Sequence, residues 1–251
     1  MKQLLLLPIL LLFCTALTAQ VTTEPAWKSA ESGKSQGVTD FLFGLQVGVP
    51  SKEMRPAIHN EMGDVGFGAG LMVLSDPFMW GKNKRESVLR LGGSLSYTYY
   101  GRFKTDLNVN GYYGSLKTAY GILDAKAIVR FRPQMNRGFS PFADLQAGGD
   151  FYMSTTSDDL NAIESALGLE NTDFESTSSA AFTKGVGGGF AIGSKDPEQA
   201  KFVVRVTYNW GSRVKYIVRN SVEYHPSQNA LTYQTGRAPV RYLMVQVGIG
   251  L

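Results

Sequence analysis

An eight-stranded antiparallel up-and-down transmembrane β-barrel is the all-β fold that this sequence predicts, on three observations. From Tyr242 the chain reads YLMVQVGIGL, so that Leu243, Val245, Val247, Ile249 and Leu251 alternate with Tyr242, Met244, Gln246, Gly248 and Gly250 to the last residue. Lipid is the natural cover for such an apolar face, and about 9–11 residues is the length of a tilted barrel strand in a bilayer. Earlier segments repeat the alternation between turn-rich stretches, and a secretory leader opens the chain.

In the leader, Lys2 supplies a positive start, Leu4 to Phe13 an apolar run and Ala16 to Ala19 a small-residue cleavage region. Residues 1–20 therefore read as a signal peptide, too short in its apolar run for a membrane helix. The single cysteine, Cys14, lies inside it after Phe13, where a lipoprotein signal wants a small residue. The mature chain then has no disulfide. No later run is long enough for a transmembrane helix, and the mean hydropathy of −0.10 suits a barrel whose polar lumen dilutes the average. The formal charge is +4 and the bases are scattered, so no nucleic-acid partner is expected. Residues 21–39 are polar and aperiodic and read as a flexible periplasmic segment, which leaves 40–251 for the barrel.

Each strand is read from its period of two. Strand one (about 40–49) points Phe41, Phe43, Leu45, Val47 and Val49 outward, and strand two (about 64–74) Val65, Phe67, Ala69, Leu71 and Val73. Strand three (about 87–100) sets Leu89, Leu91, Leu95, Tyr97 and Tyr99 against Arg90, Ser94, Ser96 and Thr98. Strand four (about 116–131) sets Leu123, Ala125, Ala127, Val129 and Phe131 against Asp124, Lys126 and Arg130. Strand five (about 141–153) sets Ala143, Leu145, Ala147 and Phe151 against Asp144, Gln146 and Asp150. Strand six (about 180–192) sets Phe182, Val186, Phe190 and Ile192 against Thr183 and glycines. Strand seven (about 201–211) sets Phe202, Val204, Val206, Tyr208 and Trp210 against Val203, Arg205, Thr207 and Asn209, and the tail is strand eight.

With both ends periplasmic, connections at about 50–63, 101–115, 154–179 and 212–239 face the exterior, and those at about 75–86, 132–140 and 193–200 the periplasm. Phe41, Phe131, Phe190 and Phe202 then fall in one aromatic girdle, and Phe67, Tyr97, Tyr99, Phe151, Phe182, Tyr208 and Trp210 in the other. Lys184 is a misfit: parity puts it on the lipid face, so it snorkels or a bulge shifts its register.

Arg90, Asp124, Lys126, Arg130, Asp144, Asp150 and Arg205 share the inward parity. Eight strands leave room only for side chains, and buried charges must pair. The reading is a packed lumen polar network; the alternative is a narrow conduction path lined by Arg90, Lys126, Arg130 and Arg205.

The leader, the eight alternating segments and the apolar terminal strand resemble the small outer-membrane β-barrel proteins of Gram-negative bacteria, the OmpA/OmpX-type, porin-family-like superfamily, without a peptidoglycan-binding domain. The resemblance covers about 40–251. It implies location in the cell outer membrane, contact with outer-membrane lipids and lipopolysaccharide, and recognition of the C-terminal strand by the outer-membrane assembly machinery, with an envelope or surface protein as a further partner.

Signals for chemistry are sparse. His59 and His225, with Glu61, Asp64, Glu223 and Ser227 as helpers, give the residue types of an outer-leaflet lipid-modifying enzyme, set against two solvated loop histidines. GVGGG at 185–189 lacks the Lys-Ser/Thr and helix of a phosphate loop and fits a bending strand better. No cofactor or metal site is expected. DDLNAIESALGLEN in the 154–179 loop has the period of a short helix beginning near Asp158 and Asp159. In the last loop, Tyr216, Tyr224 and Tyr233 with Arg213, Lys215 and Arg219 suit either anionic glycans and lipopolysaccharide phosphates or strands continuing past the membrane. The expected role is structural or surface-interacting and non-catalytic, with the narrow porin as the first alternative and the lipid-modifying enzyme as the second.

Overall fold

The computed structural model describes residues 39–58, 65–77, 88–109, 112–133, 139–159, 177–193, 201–218, 221, 223–225, 230–232 and 234–250. The expected signal peptide and nearly all of the lead-in lie outside them. β1 (Thr39–Pro50) is followed by a one-turn helix α1 (Arg55–Ile58), then β2 (Gly66–Ser75), β3 (Leu89–Val109), β4 (Tyr112–Phe131), β5 (Phe139–Asp159), β6 (Thr177–Gly193) and β7 (Lys201–Ile217). A small hairpin, β8 (Glu223–His225) and β9 (Ala230–Thr232), precedes β10 (Thr235–Gly250).

Eight strands close a barrel in the order β1-β10-β7-β6-β5-β4-β3-β2. Every pair is antiparallel, and the seam runs from Leu42 opposite Gly250 to Pro50 opposite Tyr242. Gly44 faces Gly248 across this seam, where a Cβ on Gly44 would come within 2.7 Å of the Val247 carbonyl oxygen. Only glycine lets the two backbones approach this closely.

The parity read from sequence sets the faces. Phe43, Leu45, Phe67, Leu91, Leu145, Val206, Val247 and Ile249 are exposed on the outside, while Gln46, Ser96, Asp124, Gln146, Arg205 and Gln246 are buried inside. A soluble ligand-binding barrel has the reverse pattern; an apolar exterior of this extent is a surface made for lipid. Phe139 and Phe190 stack at 5.5 Å near the end that carries the termini, and Tyr208 and Trp210 at 5.8 Å toward the opposite, loop end. No helix among the described residues is long and apolar enough to cross a membrane; in this fold the strands do so.

Three expectations are corrected. The connection expected at 101–115 is a strand hairpin, with β3 and β4 paired out to Val109 and Tyr112. Beyond the lipid band the outward residues face water, so Arg102, Lys104 and Asp106 replace apolar ones and the sequence reads as loop. The parity also slips: Tyr99 pairs Gly121 but Gly101 pairs Tyr120, leaving Tyr100 as the extra residue of a bulge that Gly101 accommodates at φ 96°. Second, Asp158 and Asp159 end β5 instead of starting a helix, and the rest of that expected helix lies outside the described residues. Third, the bounds expected for the last loop are too wide, and the reading of strands continuing past the membrane holds there: β7 and β10 stay paired to Ile217 and Thr235.

Lys184 remains on the outside and is exposed, with no register shift in β6 on either side. Its Nζ lies 5.9 Å from the ring centroid of Trp210, its cross-strand partner. A cation–π contact at the girdle, not a bulge, accommodates it.

Candidate functional site in the barrel interior

The interior is stacked in three layers. At the terminal end, Leu42, Met72, Leu74, Ile128, Phe142, Ala191 and Val203 form an apolar cluster. At the loop end, residues 51–58 of the first connection turn inward instead of standing outside. Ser51 holds the turn by accepting from the backbone N–H groups of Met54 and Arg55, each at 3.0 Å. Met54, Ala57 and Ile58 then pack, almost fully buried, against Tyr100, Phe103, Tyr120, Tyr152, Val214 and Val240. The Tyr152 hydroxyl donates to the Ala57 carbonyl, which fixes α1 in the mouth. The 3.6-residue spacing of Met54, Ala57 and Ile58 was the available signal for this plug.

Between the two apolar clusters lie most of the buried charges, while Arg90 sits at the terminal rim. All seven residues of the expected lumen network point inward and are buried. Asp124 on β4 and Asp150 on β5 are direct cross-strand partners. Like charges in that position repel, and Lys126 lies between them, paired with Asp124 and 3.2 Å from Asp150 Oδ1. The Tyr242 hydroxyl is 2.6 Å from Asp124 Oδ2 and 3.0 Å from Asp150 Oδ2, and it accepts from Lys126 Nζ at 3.0 Å. Thr183 donates to Asp150 at 2.9 Å.

Toward the terminal end, Arg130 grips Asp144 through Nε at 2.7 Å and Nη2 at 2.9 Å, and Arg205 Nε reaches the same carboxylate at 2.7 Å. The Arg130 guanidinium also lies 3.7 Å from the ring centroid of Phe142. One lysine with two aspartates leaves a formal −1; two arginines with one aspartate leave +1. The groups are joined: Arg205 Nη2 donates to Gln146 Oε1 at 2.5 Å, Gln146 donates to Asn209 Oδ1, and Lys126 donates to the same oxygen at 3.1 Å. The linked network is formally neutral, the condition under which several charges can stay buried.

Arg90 is apart from this network. It is the cross-strand partner of Arg130, but its Nη1 pairs with Asp76 at 2.9 Å, and Arg132 pairs with Asp40 at 3.4 Å nearby. Asp76 is absent from the expected network because it falls in a segment read as connection, and Asp40 because it is the first residue of the expected strand one, where the alternation only begins. Extending the parity of Met72 and Leu74 by one step reaches Asp76, and that of Leu42 back by one reaches Asp40. Tyr242, Gln146, Asn209 and Thr183 share the inward parity too, but a search for charge alone passes them over. A further inward polar group, Gln46, donates to Thr98 Oγ1 at 2.7 Å.

The histidine readings gain no geometry. His225 lies in β8 and Glu223 in the same strand, while His59, Glu61, Asp64 and Ser227 lie outside the described residues. Among the described residues, no three His, Cys, Asp or Glu side chains are grouped to hold a metal ion.

No family model matches the chain. No curated protein matches it in sequence. Among solved structures, the chain is similar to neisserial surface protein A (NspA), at 11% identity and TM-score 0.47, over 86% of this chain and 99% of that one. It is similar to Ail, the attachment invasion locus protein of Yersinia pestis, solved with the heparin analogue sucrose octasulfate, at 12% identity and TM-score 0.43, over 86% and 100%. It is also similar to the outer membrane protein OprG of Pseudomonas aeruginosa, at 17% identity and TM-score 0.40, over 87% and 96%. Strand number, closure and an apolar exterior around a polar interior make this the closed eight-stranded antiparallel transmembrane β-barrel that the sequence predicts.

Proposed function

We propose that this eight-stranded barrel is an integral outer-membrane protein of the OmpA/OmpX type whose work is structural or surface-interacting, without catalysis. One observation carries the reading: mutually paired charges close the middle of the interior and α1 folds into the mouth above them, although a cavity at the terminal end reaches Arg130. A transport path needs mobile water and accessible charge; here the charges are neutralised by one another, which favours a rigid pin over a narrow porin. β3, β4, β5 and β7 run 17 to 21 residues, well beyond the 9–11 or so that a bilayer requires. Their extensions form a platform above the loop-end girdle, and the segments at about 154–179 and 212–239 would carry partner specificity there. Outer-membrane lipids, lipopolysaccharide and the assembly machinery acting on the terminal strand are the partners this reading includes.

Membrane fractions run on SDS gels with and without boiling test the location: a faster unboiled band supports it, and release as a soluble protein without a mobility shift overturns it. Planar-bilayer recording tests the role. Absence of conductance steps is expected, and reproducible single-channel steps would replace the structural reading with the porin.

A further inference from the structure

We infer that the outer face of β7 and β10, just above the loop-end aromatic girdle, is a binding site for phosphate-bearing lipid headgroups formed by Arg213, Lys215 and Arg237. The inference rests on the membrane reading above and adds a ligand chemistry to it. Lys215 and Arg237 are direct cross-strand partners, and Arg213 lies opposite Pro239, one diagonal step from Arg237. All three side chains are exposed on the outside. Like charges in this arrangement destabilise a sheet unless something neutralises them. Among the described residues little does: neither β7 nor β10 contains an aspartate or glutamate. The acid of α1's approach, Glu53, is already held by Arg241 at 2.7 Å. None of the ion pairs among the described residues involves Arg213, Lys215 or Arg237.

Height in the membrane identifies the counter-ion. Tyr208 and Trp210 stand on the same strand and the same face, with Lys184 over the Trp210 ring. Such aromatics sit at the lipid–water interface. Arg213 follows Trp210 by roughly 10 Å of strand and Lys215 by roughly 16 Å, both shortened by strand tilt. Long cationic side chains bend back toward the interface, and this puts three guanidinium or ammonium groups in the phosphate layer. The local backbone supports the presentation. β10 pairs Pro239 with Arg213 and Arg241 with Trp210, so β7 carries an extra residue at Gly211–Ser212. Ser212 Oγ accepts from the Phe182 N–H at 3.0 Å, Ser179 Oγ accepts from the Lys215 N–H at 3.1 Å, and the bulge turns Arg213 and Lys215 outward. Arginine forks match phosphate oxygens bidentately, and a phosphate between Lys215 and Arg237 converts a repulsion into two attractions.

The test compares the full protein with a Lys215→Gln/Arg237→Gln variant, each reconstituted in phosphatidylcholine vesicles with or without about one-fifth phosphatidic acid, reading the urea midpoint. The wild-type midpoint should rise by about 0.5–1 M with phosphatidic acid, and the variant should lose at least half of that rise. In phosphatidylcholine alone the variant should be at least as stable as the wild type, because the repulsion is gone. An undiminished rise in the variant, or a variant less stable in phosphatidylcholine, overturns the site. An equal rise from inorganic phosphate added to phosphatidylcholine vesicles assigns the site to a soluble anion and overturns the lipid. Failure of the wild type to insert in either vesicle is a separate result that overturns the membrane reading itself.

Discussion

Asp124 and Asp150 face each other directly across β4 and β5 inside the barrel, held together by the Lys126 ammonium and the Tyr242 hydroxyl. Two buried carboxylates at opposed positions are unfavourable alone, so the lysine is a structural counter-ion whose removal costs more than its own contacts. Lys126→Met should destabilise the barrel by about 3–5 kcal/mol, the usual penalty for breaking a buried charge pair on one side. Adding Asp150→Asn should recover most of that loss, since one carboxylate then remains with the Tyr242 donor. Urea unfolding in phosphatidylcholine vesicles reads both. A Lys126→Met midpoint equal to the wild type would remove the counter-ion role.

The two charged groups have opposite formal sign and are chained through Gln146 and Asn209. Asp144→Asn alone leaves Arg130 and Arg205 without their shared carboxylate and should cost about 3–5 kcal/mol. In the double variant with Lys126→Met, excess positive charge in one group meets excess negative charge in the other. The pair should therefore be less destabilised than the sum of the singles, by about 0.5–3 kcal/mol of coupling. A double-mutant cycle in vesicles measures it, and strict additivity would show two independent networks.

The α1 turn plugs the loop end with Met54, Ala57 and Ile58, the last with no exposed surface. Ile58→Ala should cost about 2–5 kcal/mol, as large-to-small changes in packed interiors do. It should not open a conducting path, because Lys126, Asp124 and Asp150 still close the barrel below. The urea midpoint together with planar-bilayer current separates the two consequences. Conductance steps in Ile58→Ala alone would identify α1 as a gate instead of a plug.

These features differ in how far the sequence announces them. Where lipid is the outer solvent, alternation is enforced at every second residue, and Phe43-Leu45-Val47 or Leu243-Val245-Val247 shows its face without ambiguity. The inward charges follow from the same parity, so Asp124, Lys126, Arg130, Asp144, Asp150 and Arg205 are legible as a set. Above the membrane the constraint lapses. Arg102, Lys104 and Asp106 belong to β3 as firmly as Leu91, but water on their side gives them the composition of a loop. The bulges at Tyr100 and at Gly211–Ser212 reset the parity there, so the pattern cannot be extrapolated through them. Pairing within the lumen is set by strand register and shear, which is why Tyr242 meets Asp124 from 118 residues away without any local signal.

Lys184 tests the outer surface in the opposite direction from the buried charges. It stands on the lipid-facing side at the level of Trp210, 5.9 Å from that ring's centroid. A lysine near the interface of a membrane barrel costs about 0–1 kcal/mol, and a cation–π contact returns about 0.5–1 kcal/mol at an exposed site. The two nearly cancel, so Lys184→Leu should change stability in phosphatidylcholine vesicles by less than about 1 kcal/mol in either direction. Lys184→Leu combined with Trp210→Leu separates the terms: the lysine then loses its ring in one background and its charge in the other, and the cycle isolates the contact. A loss of several kcal/mol for Lys184→Leu alone would place this residue at a protein contact instead of at the edge of the lipid.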